Sequence, residues 1–179
     1  MPKRSNVEQA NAVRAKSVRH DKYYTPKSLV HIHLSKLASH DELVILEPCL
    51  GSGNYFNALP IYFPNCERHF CEIDAGLDFF KYDGARPDLI ITNPPFSILN
   101  KFVEKMIALQ PKVISLLLNM YAVTPCRLRK FNSAGYFVVD YHLTRVDKWF
   151  GVSVILTVSR EVDSNSIGFD CTKHKLEVA

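Results

Sequence analysis

Apolar runs that suit buried strands alternate along the chain with segments of helical period. Leu29, Val30, Leu34, Leu37 and Ala38 fall on one helical face. They predict a helix over 26–39, with Thr25 as its cap and Pro26 as its first helical position. Leu43-Val-Ile-Leu46 is continuously apolar, as a strand covered on both faces must be. It runs into Glu47-Pro-Cys-Leu-Gly-Ser-Gly-Asn54, a glycine turn, and then a short helix closed by Pro60 and Pro64. A second strand is expected over His69–Asp74, with its acids at the carboxyl end. A third, Asp88–Thr92, is stopped by Asn93-Pro94-Pro95-Phe96. Ile98, Leu99, Phe102, Val103, Met106 and Ile107 make an amphipathic helix, and Lys112–Asn119 another buried strand. Thr124-Pro125 opens a helix that Gly135 ends. Tyr136–Tyr141, extendable to Val146, and Ser153–Ser159 read as strands joined through Asp147–Gly151.

Strand–helix alternation of this kind specifies a doubly wound α/β sheet with crossover helices. Such sheets take their ligands beyond the carboxyl ends of the strands. The three unusual turns, after Leu46, after Cys71 and after Thr92, all lie at such ends. They mark one site.

Composition narrows the class. A chain of 179 residues, 47% apolar and 22% charged, suits one folded domain and excludes wholesale disorder. No apolar run approaches the ~18 residues of a membrane helix, so no membrane partner is expected. No secretory leader follows Lys3 and Arg4, and the expected location is cytoplasmic, or the host cell for a viral or phage protein. Cys49, Cys66, Cys71, Cys126 and Cys171 lack framework or zinc spacing and read as free thiols. The net charge is only +4, but residues 1–27 hold seven basic side chains against Glu8 and Asp21. This arm suits either phosphate neutralisation or a solvated terminus. The expected organisation is an arm over 1–21, a catalytic domain over 22–160 and a tail over 161–179.

Each turn carries its own chemistry. Gly51 and Gly53 let backbone approach a ligand without a Cβ in the way. The bulky Phe56 departs from G-x-G-x-x-G, and the Lys-Ser/Thr of a P-loop is missing, which disfavours pyrophosphate and triphosphate. A plain strand-to-helix turn is the alternative. Glu72 suits a ribose diol and Asp78 an exocyclic amine, although isolated carboxylates are also ordinary surface charges. In Asn93-Pro94-Pro95-Phe96 the prolines remove two backbone donors, Asn adds an amide acceptor and Phe a stacking face. That set suits a planar ring bearing an amino group.

Taken in order, Tyr24-Thr25-Pro26, Glu47-Pro-x-x-Gly51-x-Gly53, Glu72-Ile-Asp74, Asp78-Phe79-Phe80 and Asn93-Pro-Pro-Phe96 resemble the S-adenosylmethionine-dependent amino-methyltransferases. The resemblance is greatest to the adenine-N6 DNA methyltransferases, including small phage- or virus-like members, and covers about 22–160. It implies a Rossmann-like, mostly parallel seven-stranded sheet with an antiparallel strand near the C-terminus. S-adenosyl-L-methionine is the implied cofactor. Tyr24 and Thr25 would hold its methionine carboxylate, while Glu47, Pro48, Gly51 and Gly53 would form the turn around its methionine and ribose. Glu72 would take the ribose hydroxyls, Asp78 the adenine amine, and Phe79 would lie against that ring. Asn93, the Pro94 carbonyl, Pro95 and Phe96 would hold the target base. Arg145, Lys148, Trp149 and Phe150 would flank it as a nucleic-acid contact. The sequence departs from the family pattern in having no target recognition domain. It also has only Ala75-Gly76-Leu77 between Asp74 and Asp78, so the usual helix is missing and Asp74 stays open as a substitute for Glu72.

The implied reaction is direct in-line methyl transfer to an exocyclic nitrogen, on a base flipped out of double-stranded DNA. Transfer to RNA or to a protein glutamine amide, and a non-catalytic binding subunit, are the alternatives. With no spare element to read the major groove beyond the arm, residues 121–133 and the tail 160–179, target recognition would fall to a second copy or a partner subunit.

Overall fold

In a computed structural model, residues 23–37, 43–147 and 149–168 are described. Six strands form one sheet in the order β2-β1-β3-β4-β6-β5. They are β1 (Val44–Glu47), β2 (Glu67–Phe70), β3 (Leu89–Thr92), β4 (Val113–Asn119), β5 (Phe137–Thr144) and β6 (Ser153–Ser159). The first four run parallel, whereas β6 pairs antiparallel with both β4 and β5. The doubly wound architecture and the antiparallel pair match the sequence expectation. The strand count does not: six strands stand where seven were expected, among the described residues. The cause lies between β2 and β3, where two single-turn 3-10 helices, Ile73–Ala75 and Phe79–Lys81, use up the chain that a further helix and strand would need. β2 is therefore an edge.

Among the described residues four α-helices cover the sheet: α1 (Lys27–Ser35), α2 (Asn54–Tyr62), α3 (Leu99–Ala108) and α4 (Pro125–Ser133). Residue alternation in the strands explains why the apolar runs are continuous. Ile45 and Ile91 pack with Val30, Leu34 and Leu59 of α1 and α2. Their neighbours Leu46 and Ile90 point the other way, onto Phe102 and Met106 of α3 and Phe131 of α4. Every residue of β3 and β6 is buried, as strands with helices over both faces require.

Several boundaries move from the sequence reading. β2 begins and ends earlier than His69–Asp74; Glu72 already belongs to the following turn, in an isolated bridge to Leu77. Pro60 does not close α2 but sits inside it. The Phe56 carbonyl, which lacks an N–H from proline, instead accepts a hydrogen bond from the Arg68 guanidinium at 2.8 Å. Thr124 caps α4 as expected, its hydroxyl accepting from the Arg127 N–H. Thr25 does not cap α1: Pro26 takes that place, its carbonyl accepting from the N–H groups of Leu29 and Val30. The Thr25 side chain is drawn into the interior instead. The start of the expected tail docks back on the sheet, with the Asn165 side chain accepting from Val138 N and Ser166 N donating to Val138 O. The basic arm and the end of the tail lie outside the described residues. No helix among the described residues is long and apolar enough to cross a membrane.

Candidate functional site

A cleft of about 570 Å³ opens where the chain leaves β1, β2 and β3. The glycine turn forms its floor. Leu50 N donates to Cys71 O, and Gly53 N donates back to Leu50 O, which closes the turn against the end of β2. Gly51 has φ +53°, a left-handed conformation that favours glycine, and it lies directly under the Tyr24 ring, which a Cβ would touch at 3.4 Å. Gly53 is buried at φ +73° and caps α2; it shapes the turn from behind and does not line the cleft.

Two acids stand over this floor. Glu72 accepts from Gly51 N at 2.8 Å and from Asp74 N at 3.2 Å, so its carboxylate ties the glycine turn to the turn after β2. Glu47, at the end of β1, is 1% exposed, and its Oε2 has no hydrogen-bond partner among the described residues. Burial pushes its carboxyl up to about 8, with the Glu72 charge adding to the rise and a hydrogen bond from the Phe56 backbone opposing it. The beginning of the outer wall is Asp78, which accepts from Phe80 N at 3.0 Å. Phe79 is buried against Phe102, with ring centroids 4.9 Å apart, and still reaches the cleft wall. Asp74 and Phe80 line the same wall.

On the opposite side Asn93 follows β3. Its Nδ2 donates to the Tyr23 carbonyl at 2.8 Å and to the Thr25 hydroxyl at 3.3 Å. Both amide hydrogens are thereby directed at the 23–25 segment, and Oδ1 is left as the acceptor end. Thr25 is itself held, its carbonyl accepting from Asn54 Nδ2 at 2.8 Å. Its side chain is thus engaged in the wall. Pro95 lines the cleft, whereas Pro94 is buried behind it.

At the rim stands an aromatic group. Tyr23 lies 6.4 Å from Phe96 and 5.7 Å, edge-on, from Trp149, centroid to centroid. Trp149 packs on the Leu29, Leu117, Val146 and Ile155 cluster. Phe150 is 80% exposed, its carbonyl pinned by Asn119 Nδ2 at 2.7 Å. Arg145 is exposed, and Lys148 lies outside the described residues.

The structure thus brings Tyr24, Thr25, Glu47, Pro48, Gly51, Glu72, Asp78, Phe79, Asn93 and Pro95 to one cleft. It leaves Gly53 and Pro94 behind the walls, and Phe96, Trp149 and Phe150 are not among its lining residues. Sequence reasoning missed Tyr23, Asn54 and Tyr55. Tyr55 reads as an ordinary core aromatic of α2, and Tyr23 acts through its carbonyl as well as its ring, which no side-chain pattern signals. No cluster of metal-ligating side chains occurs among the described residues.

No family model and no curated protein matches the sequence. Solved structures do. Precorrin-6y C5,15-methyltransferase from Geobacter metallireducens GS-15 superposes with a TM-score of 0.57 at 18% identity, over 76% of this chain and 90% of that one. Magnesium protoporphyrin IX methyltransferase from Synechocystis PCC 6803, with bound SAM, gives 0.56 at 15% identity, over 89% and 86%. M. capricolum TrmK, in complex with S-adenosyl-homocysteine, gives 0.57 at 9% identity, over 82% and 73%. At these identities the likeness is one of fold: the chain has the Rossmann-like α/β fold that these methyltransferases share.

Proposed function

We propose that the chain is an S-adenosyl-L-methionine-dependent amino-methyltransferase whose acceptor is the N6 amine of adenine in DNA. The observation that carries this reading is Asn93. Its amide is fixed by the Tyr23 carbonyl and the Thr25 hydroxyl so that an acceptor remains beside an aromatic rim. Fold neighbours crystallised with SAM or S-adenosyl-homocysteine support the cofactor.

The residues fit that cofactor. Glu47 Oε2 is buried without a partner, and an ammonium group would supply the missing donors and the counter-charge. Glu72 spends one bond per oxygen on the backbone, so lone pairs remain for a diol. Phe79, Phe80 and Ile73 give the outer wall apolar surface for a purine, with Asp78 at its edge. When bound, the cofactor supplies an electrophilic methyl group on a sulfonium.

The chain's own groups act on the acceptor. An aromatic amine is a weak nucleophile because its lone pair is delocalised into the ring. Asn93 Oδ1, accepting one N–H of that amine, would favour pyramidal nitrogen and free the lone pair for attack on the methyl carbon. The C–S bond would break as the N–C bond forms, the sulfur would leave as a neutral thioether, and the methylated nitrogen would give up one proton to solvent. Pro94 and Pro95 take backbone donors out of this turn, so the amine meets acceptors alone. Phe96 and Tyr23 offer faces for stacking, worth ~1–3 kcal/mol per base, which offsets part of the cost of flipping. The basic arm adds sequence-independent affinity for phosphates, and a second copy or partner subunit supplies target recognition.

The test is transfer of a labelled methyl group to double-stranded DNA, single-stranded DNA, RNA and protein acceptors. Label in N6-methyladenine of DNA is expected. Asn93→Ala should keep cofactor affinity and lose about 10²–10³-fold in turnover, the scale for removing one hydrogen-bonding group that acts on the reacting centre. Normal turnover in that variant would overturn the assignment of Asn93.

A further inference from the structure

The most exposed aromatic side chains among the described residues are Phe150 and Tyr121, the latter 72% exposed. Tyr121 follows β4 and Phe150 precedes β6, in loops that leave the last rung of the β4–β6 ladder, Asn119 against Ser153. Met120 N donates to Val152 O at 2.8 Å and ties the two loops together. Asn119 then braces both: its Oδ1 accepts from Tyr121 N at 3.0 Å, and its Nδ2 donates to the Phe150 carbonyl at 2.7 Å. Between them Gly151 takes φ +74°, and a Cβ there would touch the Tyr121 ring at 3.8 Å. A single exposed aromatic needs no explanation, but two held out into water from one braced amide do.

Their place is the cleft edge of the sheet. The parallel strands β1, β3 and β4 all end there, and Trp149, next to Phe150 in the chain, already meets Tyr23, which meets Phe96. Thr92, just before Asn93, pairs with Leu116, and β4 continues through Leu117 and Leu118 to Asn119. At ~3.3 Å per residue, this platform stands roughly 10 Å beyond the acceptor amide along the strand direction. Stacked bases of one strand are only ~3.4 Å apart, so a base held at Asn93 does not also rest on Tyr121. A neighbouring nucleotide, unstacked from the target, spans the gap.

Area favours such an occupant over a protein. Two aromatic side chains offer about 300–500 Å² at most, against the ~800 Å² per partner of a stable protein interface. Charge agrees, since the β5–β6 connection carries Arg145 and Lys148 against Asp147, a balance that suits the attached phosphate. We propose that Tyr121 and Phe150 form a stacking platform for an unpaired base next to the target. The preferred substrate is then single-stranded DNA, or DNA opened beside the target, because in a duplex that base must first be unpaired and unstacked. This rests on the nucleic-acid acceptor of Proposed function, and its test reads binding apart from transfer.

The probe is a labelled single-stranded oligonucleotide with one adenine, its binding to the full chain followed by fluorescence anisotropy without cofactor. Tyr121→Ala and Phe150→Ala should each weaken binding about 5- to 100-fold, the range for one stacked base, while Tyr121→Phe retains it. An abasic site on one side of the adenine should weaken binding to the wild-type chain to a similar degree. It should cost Tyr121→Ala nothing further, because ring and base act as one pair. The duplex of the same sequence should bind more weakly than the single strand. Wild-type affinity in both alanine variants would overturn the platform, as would abasic losses that add in full to that of Tyr121→Ala, or tighter binding of the duplex. Self-association that is lost in Tyr121→Ala, with oligonucleotide affinity unchanged, would overturn it in favour of an interface between two copies. Binding that depends on Tyr121 and the flanking base, in a chain that transfers no methyl group, would sustain the platform and sink the methyltransferase reading. N6-methyladenine formed by Tyr121→Ala with wild-type rate and KM would do the reverse.

Discussion

Glu47 is the residue whose chemistry reaches furthest from its own position. Its carboxyl sits near 8 in the fold against an ordinary value of 4.5, because burial disfavours the charged form. Between those two values the folded protein binds more protons than the unfolded chain. Stability is therefore fullest below about pH 4.5 and is lost as the pH rises through about 8. Melting temperature followed over pH 5–8 should show this fall from Glu47, and Glu47→Gln should flatten it. A bound ammonium ligand should flatten it as well, by favouring the charged carboxylate. At this scale the sequence was informative wherever a side chain's identity dictates its use. Glu47 and Asn93 are polar groups at the ends of apolar strands, Glu72 and Asp78 follow in the turns after β2, and the structure brings all four to one cleft. His33 was not legible: it stands among Leu29, Val30 and Leu34 at helical spacing, and nothing in that pattern shows which polar groups wait across the core.

Among the elements, α2 shows how a local rule is broken and then compensated at a distance. Pro60 denies the Phe56 carbonyl its helical donor, and Arg68 of β2 both donates to that oxygen and stacks 4.6 Å above the Phe56 ring. Arg68→Ala should lower stability by about 1 kcal/mol, the usual worth of such a bond. Pro60→Ala should recover part of that loss, because the alanine N–H restores the helical partner. Urea unfolding of the two single variants and the double variant gives the coupling directly, and strictly additive changes would show that the two residues are not linked. The caps make the same point from the sequence side. Thr25-Pro26 and Thr124-Pro125 look alike, yet only Thr124 caps its helix. What separates them is tertiary: the Thr25 hydroxyl accepts from Asn93, a partner distant in sequence.

For the whole molecule, the missing seventh strand decides where the cleft is thin. Its inner wall is the sheet itself, but the outer wall over 72–80 is two 3-10 turns and one isolated bridge at the edge beyond β2. Hydrogen bonds there are local, as in Ala75 N to Glu72 O and Gly76 N to Ile73 O, and residues 73–77 are exposed. Amide exchange should accordingly be faster across 73–77 than in β4 by several orders of magnitude, and cofactor should slow it. Equal protection in the two segments would contradict this account of the wall. The doubly wound architecture followed from the alternation of strands and helices, but the strand count did not, because the spacing 71–88 shows only that a helix is absent and not what the edge becomes. The Tyr23–Thr25 segment adds a constraint in time. It meets Asn93 across separations of 70 and 68 residues, a closure that local structure does nothing to hasten. During synthesis the segment leaves the ribosome early and must wait, unpaired, until β3 has been made and has joined β1. The amide at the heart of the site is thus set only after the sheet exists.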